Sequence, residues 1–164
     1  MSSYPQQPQQ TQPYAAQGGE PPLWAPYYGA PIGAAVNRFF KKYTAFNGRA
    51  SRSEYWWVAL VLGVVGFVLQ LLTGILGAAG ATVSANGTSV PGPGAVVGLI
   101  LMVVFYLAVL IPSIALLVRR LHDGNFSGWL VLLGLIPGLG GLALLIFALL
   151  PSNPAGQRFD QPTA

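Results

Sequence analysis

Two short polar runs hold the residues whose types and spacing could do chemistry: Arg49, Arg52 and Glu54 in the first, Arg119, Arg120, His122 and Asp123 in the second. Clustered guanidinium groups can hold phosphate or carboxylate through forked, charge-assisted hydrogen bonds. The interleaved carboxylates offer another use for the same arginines, as ion pairs of Arg52 or Arg49 with Asp123 and of Glu54 with Arg120 or Arg119. A third chemistry would use His122 as a base oriented by Asp123. Adjacent residues on a helix point about 100° apart, so these two side chains are badly placed to bond one another. The sequence thus offers, in this order, a polar clasp, a lipid-headgroup or small-anion site, and catalysis. No phosphate-cradling Gly-Lys loop, GxSxG elbow or pair of carboxylates within one segment is present. The chain therefore reads as non-enzymatic and without a cofactor. One histidine and no cysteine leave no basis for a His-rich or thiolate metal site, a disulfide or a palmitoyl anchor.

The elements that must position these runs are written in the distribution of charge. Hydrophobic residues make up 53% of the 164 and charged residues 7%, against roughly 25% charged in a soluble domain. From Tyr55 to Val118, 64 residues, and again from Gly124 to Gln157, 34 residues, there is no Asp, Glu, Lys or Arg. These stretches are long enough to cross lipid. The fold class expected is an all-α membrane protein with about three transmembrane helices, the third broken at Pro137-Gly138, preceded by an interfacial amphipathic helix and a disordered tail.

Along the chain, residues 1–33 form a Pro/Gln/Tyr-rich tail with Glu20 as its one charge, a composition expected to stay disordered. Residues 34–54 form an interfacial segment. In it Val36, Phe39, Phe40 and Tyr43 recur at helical spacing, with Arg38, Lys41 and Lys42 mostly off that stripe, as in a helix lying among headgroups. Asn47-Gly48 predicts a turn. Ser51 to Glu54 matches a capping box directly before the interfacial aromatics Tyr55, Trp56 and Trp57.

Residues 55–150 form the membrane domain. The first helix, about 55–79, carries Gly63, Gly66, Gln70, Thr73, Gly74 and Gly77 at three- and four-residue spacing, a predicted helix-packing face on which the Gln70 amide needs a partner. A charge-free loop over 80–93 follows. The second helix, from about 95 past 118, contains Pro112, which strips the Ala108 carbonyl of its donor and calls for Ser113 or a neighbour to compensate. The last run, 129–150, is expected to cross once with a break, the alternative being a re-entrant hairpin. Residues 151–164 form a polar C-terminal tail.

Lys and Arg set the orientation. Arg38, Lys41, Lys42, Arg49 and Arg52 precede the first long run, the first loop has none, and Arg119 and Arg120 follow the second. Both basic flanks, and the N-terminus with them, are expected in the cytoplasm. The partners expected are a bilayer with anionic headgroups and either a second copy or another membrane protein, and no nucleic acid.

The run Phe46-Asn47-Gly48-Arg49-Ala50-Ser51-Arg52-Ser53-Glu54-Tyr55-Trp56-Trp57, followed by Arg119-Arg120-Leu121-His122-Asp123, Ser127-Gly128-Trp129 and Ile136-Pro137, resembles the domain-of-unknown-function family 805. The resemblance covers residues 39–160. It departs at Gly124-Asn125-Phe126, where members often open with threonine-glycine, and near Gly156 to Asp160, where they usually close with Asn before an aromatic-Gly pair. It implies a small bacterial inner (plasma) membrane protein of multi-pass topology, and it implies no reaction.

Overall fold

The computed structural model describes residues 19–160. Two long antiparallel helices form its spine, α2 over Arg52–Ala78 and α3 over Gly94–Asp123. Each is apolar and long enough to cross a membrane, with mean hydropathy of 2.4 and 2.9 over its most apolar stretch. The start of α2 is fixed as the sequence predicts: the Ser51 hydroxyl accepts from the Glu54 amide and the Glu54 carboxylate accepts from the Ser51 amide. Both helices close on small residues. A Cβ on Gly98 would come within 2.7 Å of the Thr73 Cα, while Gly66 faces the Tyr106 hydroxyl and Gly77 faces Ala95. The predicted packing face therefore divides. Gly66, Thr73 and Gly77 meet α3, whereas Gly63, Gln70 and Gly74 lie exposed beside it.

At the far end the chain turns through a short antiparallel hairpin, β1 (Thr82–Val83) and β2 (Ser89–Val90), a small departure from the all-α expectation. Pro112 sits inside α3, and the Ala108 carbonyl it strands accepts a 2.5 Å hydrogen bond from the Tyr43 hydroxyl. The compensating neighbour is thus an aromatic from outside the helix, in place of Ser113.

Three expectations change. The disordered tail at 1–33 is corrected over residues 19–33, residues 1–18 lying outside those described. Here Ala25 and Ala30 are buried and the chain leads into a short helix, α1 (Ile32–Lys41). Composition alone does not show that Arg38 can gather the carbonyls of a proline-rich segment. Next, α1 and its C-cap leave only Lys41 of their three basic side chains exposed. Arg38 and Lys42, one turn apart, point inward and are buried, while Phe40 and Tyr43 are exposed. Ala30, Ala35 and Phe39 form a small core with Ala50, Val58, Val109 and Leu116.

Last, residues 129–150 double back instead of running on in one broken course. A 3-10 helix (Gly128–Leu135) leads to a turn with Gly138 at φ 77°, and α4 (Leu139–Leu149) returns. Both ends of the segment finish beside the end of α3: a Cβ on Gly128 would come within 2.9 Å of the His122 ring, and the Ala148 carbonyl accepts from Arg120 Nε at 3.1 Å. The C-terminal residues then fold over the same end as a second 3-10 helix, Pro154–Phe159.

Candidate functional site

One end of the helix pair gathers most of the charged side chains of the described residues into two adjoining clusters. The first is built on the last turn of α3. Asp123, fully buried, takes an ion pair from Arg120 at 2.5 Å and accepts hydrogen bonds from the Tyr28 hydroxyl at 2.8 Å and from the Ser152 hydroxyl. Arg49 stands 3.7 Å from Asp123 and is bound more tightly by Asp160 at 2.6 Å. Arg120 completes its shell on the carbonyls of Ala148 and Leu150. The cluster thereby ties the N-terminal segment, the turn before α2, the end of α3 and the C-terminal tail into one knot. Burial works against the Arg49 charge, but Asp160, Tyr28 and Asp123 together outweigh it and raise its pKa. Burial, and then the Asp123 carboxylate, push the Tyr28 hydroxyl up to about 12.

The second cluster is built on the first turn of α2. Glu54 is buried and accepts from Arg38 Nε at 2.7 Å and from the backbone amides of Tyr27 and Ser51 at 3.0 Å each. The rest of the Arg38 guanidinium is spent on carbonyls of the N-terminal segment, among them Pro21 at 2.8 Å and Ala25, and on Glu20 at 3.3 Å. Lys42 Nζ lies 3.9 Å from Glu54, too far to hydrogen bond. Arg119 gives its Nε to the Ala115 carbonyl at 3.1 Å. Lys42 Nζ and Arg119 Nη2 are both buried, and neither meets an acceptor among the described residues.

The sequence expectations meet this geometry unevenly. Arg49, and not Arg52, approaches Asp123; Arg52 is exposed and takes part in no ion pair found among the described residues. Glu54 pairs with Arg38 and neighbours Lys42 rather than binding Arg119 or Arg120, a correction whose cause is local. Arg120 is claimed by Asp123 one turn along its own helix, and the free edge of Glu54 is filled by backbone amides. His122 does not bond Asp123. Its Nδ1 meets the Gly48 carbonyl at 3.1 Å and its ring stacks on Phe159 at 4.0 Å, beside a groove of about 530 Å³ that Ser127, Trp129 and Phe46 also line. Gly48 must be glycine for the chain to pass so close to Trp24, with φ 79° and a Cβ position 2.7 Å from the Trp24 carbonyl.

Sequence reading missed Tyr28, Arg38, Lys42, Ser152 and Asp160. Counting would have found several of them. With four acids against eight basic residues, Glu20 and Asp160 had to be assigned once Glu54 and Asp123 were, and Arg38 and Lys42 share one helix face.

Comparison with known proteins agrees with a membrane setting. The family model described as "Protein of unknown function (DUF805)" matches residues 43–161. The chain is 37% identical to Inner membrane protein YhaH of Escherichia coli over 122 residues, 74% of this chain and 89% of that one. It is 33% identical to Inner membrane protein YhaI of the same organism over 119 residues, 73% of this chain and 86% of that one. No solved structure matches.

Proposed function

The chain belongs to the DUF805 family, and on that premise we propose that it is a multi-pass accessory protein of the bacterial plasma membrane that engages a partner helix and turns over no substrate. The observation that carries this reading is the exposed strip of α2. Gly63 and Gly74 have nothing within 4 Å of where a side chain would begin, and Gln70 lies exposed between them, within the far half of a 27-residue helix. An amide in hydrocarbon costs a few kcal/mol unless it is hydrogen-bonded. Glycines on the same strip let another backbone approach closely.

The topology we infer has α2 and α3 crossing the bilayer and 128–149 entering and returning. Eight residues of 3-10 helix rise about 16 Å, and eleven of α-helix about the same. Each limb then spans about half of a 30 Å hydrocarbon layer. Leu135 and Leu139, 79% and 73% exposed, form an apolar tip for such a hairpin. Both termini would lie in the cytoplasm with the charged clusters, as the distribution of Lys and Arg favours. Reporter domains fused at Asn86 and after Ala164 should report opposite sides of the membrane. The same side for both would remove the re-entrant hairpin.

For the partner, a photo-crosslinking residue at Gln70 in membranes should yield one discrete protein adduct. Adducts to lipid alone would end the accessory reading. An adduct with a second copy would favour a self-associated pore, testable as solute flux in liposomes that Gln70→Leu abolishes.

A further inference from the structure

The charges of the Glu54 cluster do not sum to zero, and this sets it apart from a clasp. Arg38, Lys42 and Arg119 are 1%, 5% and 1% exposed, and the one carboxylate buried among them is Glu54 at 2%, the nearby Asp160 being engaged by Arg49 at 2.6 Å. Among the described residues Glu20 pairs only with Arg38, at 3.3 Å, and its side chain is 46% exposed, so its charge is largely spent on solvent. The Glu54 oxygens are already occupied by Arg38, Tyr27 and Ser51. What remains is two cationic nitrogens, Lys42 Nζ and Arg119 Nη2, on different elements, withdrawn from solvent and without an acceptor among the described residues. Each guanidinium or ammonium taken out of water costs several kcal/mol unless an anion compensates it. A water molecule would satisfy the donors and leave the charge. A small oxyanion satisfies both, with oxygens for several N–H donors and a charge opposite to the surplus.

We propose that Lys42 and Arg119, backed by Arg38, form an anion site for a tetrahedral oxyanion of the phosphate class at the membrane face of the protein. Its natural occupant would be a free phosphate or sulfate, or the phosphate of an anionic lipid headgroup. Its composition is also uneven across the chain. Arg119 and Glu54 lie within the family match, which begins at Tyr43, whereas Arg38 and Lys42 come from the stretch before it. The site joins residues inside the family match to residues on the stretch just before it. The inference stands apart from the partner-helix reading, since no residue of the α2 strip takes part.

The test is the melting temperature of the full chain in a neutral detergent, titrated with sodium sulfate or inorganic phosphate at ionic strength held with chloride. A parallel titration uses phosphatidylglycerol doped into the micelles without added phosphate. The wild-type chain should gain on the order of 5 °C at a hundredfold excess over the dissociation constant. Lys42→Met and Arg119→Leu should each lose that response, and either one suffices if the other does not fold. A response to sulfate or phosphate identifies a free-anion site. A response to phosphatidylglycerol alone identifies a headgroup site. No response to any of them overturns the proposal, and so does an equal response in wild type and both variants, which would reveal general screening of surface charge.

Discussion

The two charged clusters are both built around a buried carboxylate and differ in stoichiometry. Around Asp123, two arginines face two carboxylates, and three of the four are further hydrogen-bonded: Arg49 to Tyr28, Arg120 to two carbonyls, Asp123 to two hydroxyls. Around Glu54, three cations face one buried carboxylate, and two donor nitrogens go without an acceptor among the described residues. A buried ion pair offsets its desolvation only when geometry and surrounding hydrogen bonds are complete. The Asp123 cluster meets that condition from its own residues and can serve as the knot of the fold. The Glu54 cluster does not, so it must gain an anion or give up a proton.

The sharpest way to break this contrast is Asp123→Ala. It leaves the Arg49 and Arg120 guanidinium groups buried with a single counter-charge, at Asp160, and removes the acceptor of Tyr28 and Ser152. Loss of one member of a buried pair costs roughly 3–5 kcal/mol, a fall in melting temperature on the order of 10 °C for a chain of this size. Asp123→Asn keeps an acceptor for the two hydroxyls and should lose less. Thermal unfolding in detergent followed by circular dichroism measures both. If Asp123→Ala melts with the parent, charge does not hold the knot.

The opposite sign is expected at Lys42. Burial, with the Arg119 and Arg38 charges adding to it, pushes this amine down from 10.5 to about 7 against the pull of Glu54 and Asp160. The sign follows from proton counting. Between pH 7 and 10.5 the unfolded chain holds a proton that the folded chain lacks, so folding becomes more favourable as pH rises through that window, and below pH 7 the cost is present in full. Tyr28, held up near 12, works the other way only above pH 10. In anion-poor buffer the wild type should therefore melt progressively higher from pH 7 to 9.5. Lys42→Met should start level with it or about 1 kcal/mol more stable at pH 7 and show a flatter profile. A profile unchanged by the substitution would mean that Lys42 is not the group that titrates.

Much of the fold was legible because lipid-length apolar runs and a capping box are local signals. The start of α2, the break at Pro137-Gly138 and the basic flank at Arg119-Arg120 each follow from a few adjacent residues. What escaped depends on distant partners. The N-terminal segment is too polar and too rich in proline to order itself, and no local pattern shows that Arg38 will collect the carbonyls of Pro21 and Ala25. The inward face of α1 was hidden for the same reason. A basic stripe beside an aromatic one looks the same whether it meets headgroups or a buried carboxylate 12 residues along the chain, as Lys42 does at Glu54. The doubling back of 129–150 is set by the docking of its end on Arg120, which a hydropathy pattern does not carry.

The smallest effect is the one that separates two arginines three residues apart. Sequence alone offers Arg49 and Arg52 as equal partners for Asp123, both basic, both just before the first long helix. The backbone decides between them. Arg49 lies in the turn that Gly48 opens, its side chain directed between Asp160 and Asp123, whereas Arg52 is the first residue of α2 and points outward on that helix. Removing an exposed charge that forms no ion pair among the described residues changes stability by no more than about 0.5 kcal/mol. Arg52→Ala should therefore melt within a degree or two of the parent, while Arg49→Ala follows Asp123→Ala downward. Combining Arg49→Ala with Asp123→Ala should cost less than the sum of the two, because their groups share one cluster, and combining Arg52→Ala with Asp123→Ala should be additive. A non-additive Arg52 cycle would move Arg52 into the knot and erase the distinction between the closed cluster and the exposed helix start.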